Sequence, residues 1–182
     1  MTNVQERQSI GCLMPDFTLP LLDGGSLSLR SFLAGRKAAV VVFWSGICSH
    51  CRRYDDYLNR LTERYPGVGL LAVASRQSES AQMLRATVAE RGLRFPMVHD
   101  ADRAVAKAWV VSQTPRVFLL DPQCRLLYRG AIDNFKYPQD PEFVPYLDTA
   151  IEALLTGKTP HRAETPSFGC PVESVYYTMP KP

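Results

Sequence analysis

The chain has 182 residues, 46% of them apolar and 21% charged, and carries a net charge of +3. This length suits one domain with a substantial core, and the composition is that of an ordinary globular protein. So small a charge gives no basis for binding nucleic acid or a membrane surface, and the longest apolar run, residues 38–44, is too short to cross a bilayer.

Residues 1–8 are polar and lack the apolar stretch of a signal peptide. The expectation is a cytoplasmic protein, in which the five cysteines rest mostly reduced. Residues 15–30 alternate apolar and polar around Asp23-Gly24-Gly25, which predicts a β-hairpin with a glycine turn. Ser31-Phe32-Leu33 reads as a short helical turn ending near Gly35. Residues 38–44 are apolar on both faces, as in a central parallel strand.

A helix is expected from about Cys48 to Tyr65, with Tyr54, Leu58, Leu61 and Tyr65 on its inner face. Pro66-Gly67 stops it. Residues 68–74 form a second buried strand, and residues 80–91 a helix with Ala81, Leu84 and Val88 inward, ended by Gly92. Residues 97–99 make a short strand and 103–109 a short helix. Residues 116–120 and 125–129 flank Asp121-Pro122-Gln123-Cys124 as an antiparallel pair. Asp140-Pro141 has the form of an N-cap and first helical residue, opening a last helix with Val144, Leu147, Ile151 and Leu154 inward and Gly157 at its end.

Strand–helix alternation followed by a strand pair predicts an α/β fold, a central mixed sheet flanked by helices. The expected division is one domain over residues 1–157, including the N-terminal hairpin, and an irregular tail over 158–182 that holds five of the 14 prolines.

The chemistry concentrates at Cys48-Ser49-His50-Cys51, directly after the 38–44 strand and at the start of a helix. Two cysteines at this spacing share one helical turn and close into a disulfide with little backbone movement. A helix N-terminus stabilises the thiolate, the reactive form. Cys48, at the N-cap, is expected to be the exposed nucleophile that forms a mixed disulfide, and Cys51, one turn on, to resolve it.

In its order of motifs the chain resembles the thioredoxin superfamily, and within it the TlpA/ResA-like and AhpC/TSA (redoxin) group. The matching pieces are Pro15-Asp16-Phe17-Thr18-Leu19 with Asp23-Gly24, Phe43-Trp44 with Cys48 and Cys51, Thr114-Pro115, and Asp121 with Tyr128-Arg129-Gly130. Phe168-Gly169-Cys170 is similar to the Gly-Cys ending of a subset of cytoplasmic redoxins. The resemblance implies a thioredoxin-like fold and thiol–disulfide oxidoreductase activity on protein or small-molecule disulfides and thiols, with no cofactor and no metal. It makes Trp44 part of the active-site segment and Pro115 a cis-proline that turns the backbone of Thr114 toward Cys48, free to pair with an extended substrate. His50 stands where the periplasmic disulfide oxidase of bacteria also has histidine. A donor there favours the Cys48 thiolate and implies a couple above the roughly −270 mV of thioredoxin.

Three features depart from the family pattern. Ile47 replaces the usual tryptophan before the first cysteine, Ser49-His50 replaces Gly-Pro, and Cys124 replaces a turn glycine. Cys170 reads equally as a third redox thiol, if the tail folds back, and as a loosely packed tail cysteine. Cys12 and Cys124 read as incidental, Arg116 as a strand-start residue, and His99 and His161 as histidines without a motif.

Two other functions compete with the oxidoreductase. Peroxiredoxins carry Pro-x-x-x-Thr-x-x-Cys, and counting back from Cys51 or from Cys48 finds no proline in place. Peroxidase activity through Cys48 stays open all the same, because any accessible thiolate reacts with peroxide. A metal carrier would use Cys48, His50 and Cys51 with Cys170 or His161, although structural zinc requires four well-placed ligands.

Overall fold

The computed structural model describes residues 8–173. Its centre is a five-stranded sheet built on β3 (Ala38–Trp44) and β4 (Val68–Ala74), two strands buried along their whole length. They pair in parallel, Ala38 opposite Val68 through Trp44 opposite Ala74. β5 (Met97–His99) joins β4 in parallel, while β7 (Arg116–Leu120) and β8 (Leu126–Gly130) add antiparallel on the other side. The order across the sheet is β5-β4-β3-β7-β8. Full burial explains why β3 and β4 read as continuous apolar runs: both faces are covered.

On one face Val40, Val42 and Trp44 pack with Leu58, Leu61, Leu84, Leu147 and Ile151. On the other Ala39, Val41 and Phe43 meet Phe17, Leu29, Phe32, Val105 and Trp109. Trp109 lies 5.0 Å from Phe118 and 5.8 Å from both Phe17 and Phe43 between ring centres, and its indole N–H donates to the Pro15 carbonyl at 3.1 Å. This aromatic cluster fastens the N-terminal hairpin, β1 (Thr18–Pro20) and β2 (Ser26–Ser28), to the sheet. Leu21 bridges Val98 and the Leu22 N–H bonds to the Met97 carbonyl at 3.1 Å, so the hairpin also closes the β5 margin.

Helix α1 (Leu29–Leu33) follows the hairpin, capped by Ser28, whose hydroxyl accepts from the Ser31 N–H. The helix expected over 48–65 is two, α2 (Ser49–Arg52) and α3 (Asp55–Arg64). The Tyr54 N–H reaches the Cys51 carbonyl, a three-residue bond that tightens the chain and restarts the helix. Tyr54, Leu58, Leu61 and Tyr65 are buried as the spacing predicts. Helix α4 (Ala81–Arg91) begins at a Ser80 cap and ends on Gly92 in the left-handed conformation. Helix α5 (Ala104–Ala108) follows β5.

The last helix, α6, runs Tyr146–Leu155 and does not start at Asp140-Pro141. The Asp140 carboxylate accepts from the Glu142 N–H and its carbonyl from the Phe143 N–H, which makes a turn. Pro145 then disfavours helical backbone at Val144, so the helix forms only beyond it. Leu147 and Ile151 are buried as expected.

The residues after α6 have little regular structure but are tied down. Glu164 lies parallel to Arg129 and pairs with its guanidinium at 2.6 Å. The Thr165 hydroxyl contacts the Tyr128 hydroxyl at 2.6 Å and accepts from the Ala131 N–H at 3.0 Å. A Cβ on Gly130 would lie 2.1 Å from that hydroxyl oxygen, which requires glycine at 130. Further on, β9 (Cys170–Pro171) pairs antiparallel with β6 (Gln113–Thr114). No helix among the described residues is long and apolar enough to cross a membrane.

Candidate active site

β3 delivers the chain to a three-residue loop, Ser45-Gly46-Ile47, and Cys48 is the N-cap of α2. The loop is fixed from behind. The Gly46 N–H donates to the Glu79 carboxylate at 2.7 Å, and its carbonyl accepts from Arg91 at 2.9 Å. Arg91 is also paired with the buried Asp55, Nε to Oδ2 2.6 Å, and lies 4.8 Å from the Trp44 ring. A Cβ on Gly46 would come within 2.8 Å of the Glu79 oxygen. Glu79, Arg91 and Asp55 carry no motif, so sequence reasoning passed over the groups that hold the loop.

All five cysteines are free thiols. Cys48 and Cys51 meet at the start of α2, and their environments separate them. A hydrogen bond from the Cys51 thiol is the largest influence on Cys48; burial opposes it, and the Cys170 thiol and the N–H groups of Cys51 and Cys170 add to it. The result is a Cys48 thiol lowered from 9.0 to about 4. Cys51 moves the opposite way, pushed well up by burial and by the neighbouring Cys48. The two thiols thus differ in acidity: one favours the thiolate and the other keeps its proton.

Contrary to expectation, Cys48 is not exposed: it is 1% accessible. Its sulfur lies 3.2 Å from the carbonyl oxygen of Thr114, to which the protonated thiol donates. Thr114-Pro115 is a cis peptide bond, as the resemblance implies, and Thr114 is fully buried. The strand edge at Thr114 is not free for a substrate, because Cys170 is its register partner. Cys170 packs onto the core cluster that contains Cys48 and Cys51, and the Val172 N–H bonds to the Ser112 carbonyl at 3.0 Å. The tail therefore folds back over the dithiol.

Several side chains hold it there. The Ser167 hydroxyl accepts from Gln113 at 2.9 Å and from Arg116 at 2.8 Å, and Arg76 donates to the Pro171 carbonyl at 2.8 Å. Arg116, read from sequence as a strand-start residue, is thus a tail contact. Gly169 is required by space: a Cβ there would lie 1.8 Å from the Thr114 oxygen.

Other singled-out residues sit elsewhere. Trp44 is fully buried behind the loop. The His50 ring stacks against Phe135 at 5.1 Å, while the backbone N–H of His50 points to the Cys170 sulfur. Cys124 is buried under the hairpin, its thiol 3.7 Å from the Met14 carbonyl, with a φ of 66° that explains why glycine suits this turn. Cys12 bonds to Gln8, His99 lies 3.2 Å from the Glu79 carbonyl, and His161 is exposed. Among the described residues no three His, Cys, Asp or Glu side chains are grouped to hold a metal ion.

Thioredoxin-like redox proteins are the class in which this sheet order and this placement of thiols and cis-proline occur together. The AhpC/TSA family profile matches residues 10–129, and the chain belongs to that family. It is similar to thiol-disulfide oxidoreductase ResA of Bacillus subtilis (strain 168), 30% identical, with 68% of each chain covered. The ResA of Bacillus thuringiensis subsp. konkukian is 26% identical over 68% of this chain and 70% of that one. Among solved structures, a hypothetical protein of Sinorhizobium meliloti 1021 superposes with a TM-score of 0.81 at 28% identity, covering 92% of this chain and 95% of that one. An uncharacterized conserved protein from Geobacillus kaustophilus gives 0.82 at 26% identity, covering 92% and 93%. The chain is a thiol–disulfide oxidoreductase of the redoxin type.

Proposed function

We propose that this enzyme exchanges its Cys48/Cys51 dithiol with protein or small-molecule disulfides. Cys48 attacks a substrate sulfur as a thiolate, one substrate thiol leaves, and Cys51 then attacks Cys48 to release the second and close the disulfide. The observation that carries this reading is the opposed behaviour of the two thiols, Cys48 lowered and Cys51 raised, beside the cis Thr114-Pro115 bond. Stabilising the thiolate stabilises the reduced protein, so the couple is an oxidising one for this fold. The backbone of Thr114 offers a strand edge for an extended peptide once the tail is displaced. Ile47, 55% exposed just before Cys48, supplies an apolar contact beside it.

Turnover of a small aromatic disulfide and of insulin by the reduced protein, with hydrogen peroxide in parallel, tests the reading. Cys48→Ser is expected to abolish disulfide turnover, and the Cys51→Ser, Cys170→Ser double variant to accumulate a mixed disulfide on Cys48. Rapid loss of peroxide with no disulfide turnover would replace the oxidoreductase by a peroxidase.

A further inference from the structure

The tail occupies the place that the proposed function reserves for a substrate. Strand β9 pairs with the strand edge at Thr114, in register Thr114 to Cys170. The Gly169 backbone lies so close to the Thr114 carbonyl that no side chain fits between them. The strap is fixed on both sides of this point, at Thr165 by the hydroxyl that accepts from Ala131 and at Val172 by the backbone bond to Ser112. Between these anchors the Cys170 thiol faces Cys48. A chance contact of an irregular tail would not combine strand pairing, a glycine required by space and a cysteine at the reacting sulfur.

We propose that residues 169–171 are a tethered substrate mimic and that Cys170 is a third redox thiol, which takes over the disulfide from Cys51. This deepens the dithiol reading above and rests on it. In the oxidised enzyme the Cys170 thiolate attacks the Cys48 sulfur of the Cys48–Cys51 disulfide. The Cys48–Cys170 bond forms, the Cys48–Cys51 bond breaks, and its electron pair leaves on the Cys51 sulfur, which takes up the proton that Cys170 gave up. One disulfide and one thiol stand on each side, so no outside oxidant or reductant is needed. In the reduced protein burial and the neighbouring Cys48 push the Cys170 thiol up, against the backbone N–H of His50 directed at its sulfur; in the oxidised enzyme Cys48 carries no charge, and that N–H still favours the attacking thiolate. The Cys48–Cys170 linkage locks the strap over the peptide edge, while its absence lets a substrate compete for that edge.

The test uses the full chain. Reduced wild type and Cys51→Ser are treated with glutathione disulfide, quenched in acid and alkylated, and their disulfides are mapped by peptide mass spectrometry. In Cys51→Ser, Cys48 first exchanges with glutathione disulfide, and Cys170 then displaces the bound glutathione. The expected product is an intramolecular Cys48–Cys170 disulfide and two glutathione thiols. Persistent glutathione on Cys48 with Cys170 free would overturn the proposal. Should wild type show a Cys48–Cys51 disulfide in that case, the dithiol reading survives; if Cys48 forms no disulfide in wild type, both readings fail. Gly169→Ala tests the mimic separately, since it forces the strap off Thr114. Its KM for a peptide disulfide is expected to fall by about tenfold, because the competent state is no longer a minor fraction. An unchanged or higher KM would overturn the mimic.

Discussion

A thiolate at Cys48 is stabilised by donors that exist only in the folded, reduced protein, which links its ionisation to stability. Its folded value, about 4, lies below the ordinary 9.0. The stabilisation is therefore complete above the unfolded value and is lost as pH falls through the folded one. Cys51 and Cys170 shift upward, so their contributions have the opposite sign but are lost only above 9.0. Urea unfolding of the reduced wild type and reduced Cys48→Ser should show a stability difference that grows from about pH 4 to pH 9 in favour of wild type. A difference flat across that window would refute the thiolate. At this scale the two cysteines, Thr114 and Pro115 were legible in the sequence, because motif and order mark them. The burial of Cys48 was not, since it depends on a segment more than a hundred residues away. The His50 ring was expected at the thiolate but instead lies against Phe135, a residue with a φ of 64° in a loop without pattern.

Among the elements, those with a periodic apolar face or a capping signal were read close to their true limits. Helix α4 is one: Ser80 accepts from the Met83 N–H at 3.2 Å and Gly92 closes the other end. Ser80→Ala should cost about 1 kcal/mol and lower the melting temperature by about 2–4 °C, measured by circular dichroism. No change would mean that the cap hydrogen bond contributes nothing. Elements broken by tertiary contacts were misread. α2 and α3 carry one continuous apolar stripe, yet the chain is interrupted where the Tyr54 hydroxyl donates to Asp133 at 2.6 Å. Asp140-Pro141 has the chemistry of a helix start and also that of a turn, and Pro145 five residues later decides for the turn. The docking of β9 leaves still less trace, because side-chain hydrogen bonds from Gln113, Arg116 and Arg76 have no period.

For the whole molecule, the sheet order follows from two strands too apolar to lie at an edge and from a strand pair that must add beside them. What joins the N-terminal hairpin to that sheet is chiefly Trp109, 1% exposed among Phe17, Phe43 and Phe118. Trp109→Ala should destabilise the protein by about 3–5 kcal/mol through the lost burial and the cavity left behind. The readout is a lower urea midpoint at unchanged slope; a loss below about 1 kcal/mol would mean that the hairpin is held by other contacts.

The segments that flank the sheet have one more consequence. Leu21 and Leu22 lie along β5, and residues 163–165 lie along β8, where the Arg129 N–H bonds to the Ala163 carbonyl and the Thr165 N–H to the Arg129 carbonyl. Both outermost strands therefore have backbone partners from the chain's own termini. Along these two margins, among the described residues, a second copy meets backbone groups that are already engaged, which guards the central sheet against edge-to-edge aggregation. Thr165 marks where the strap can stop peeling: residues beyond it can lift to admit a substrate while β8 stays covered. The enzyme can thus open its catalytic cleft without becoming sticky.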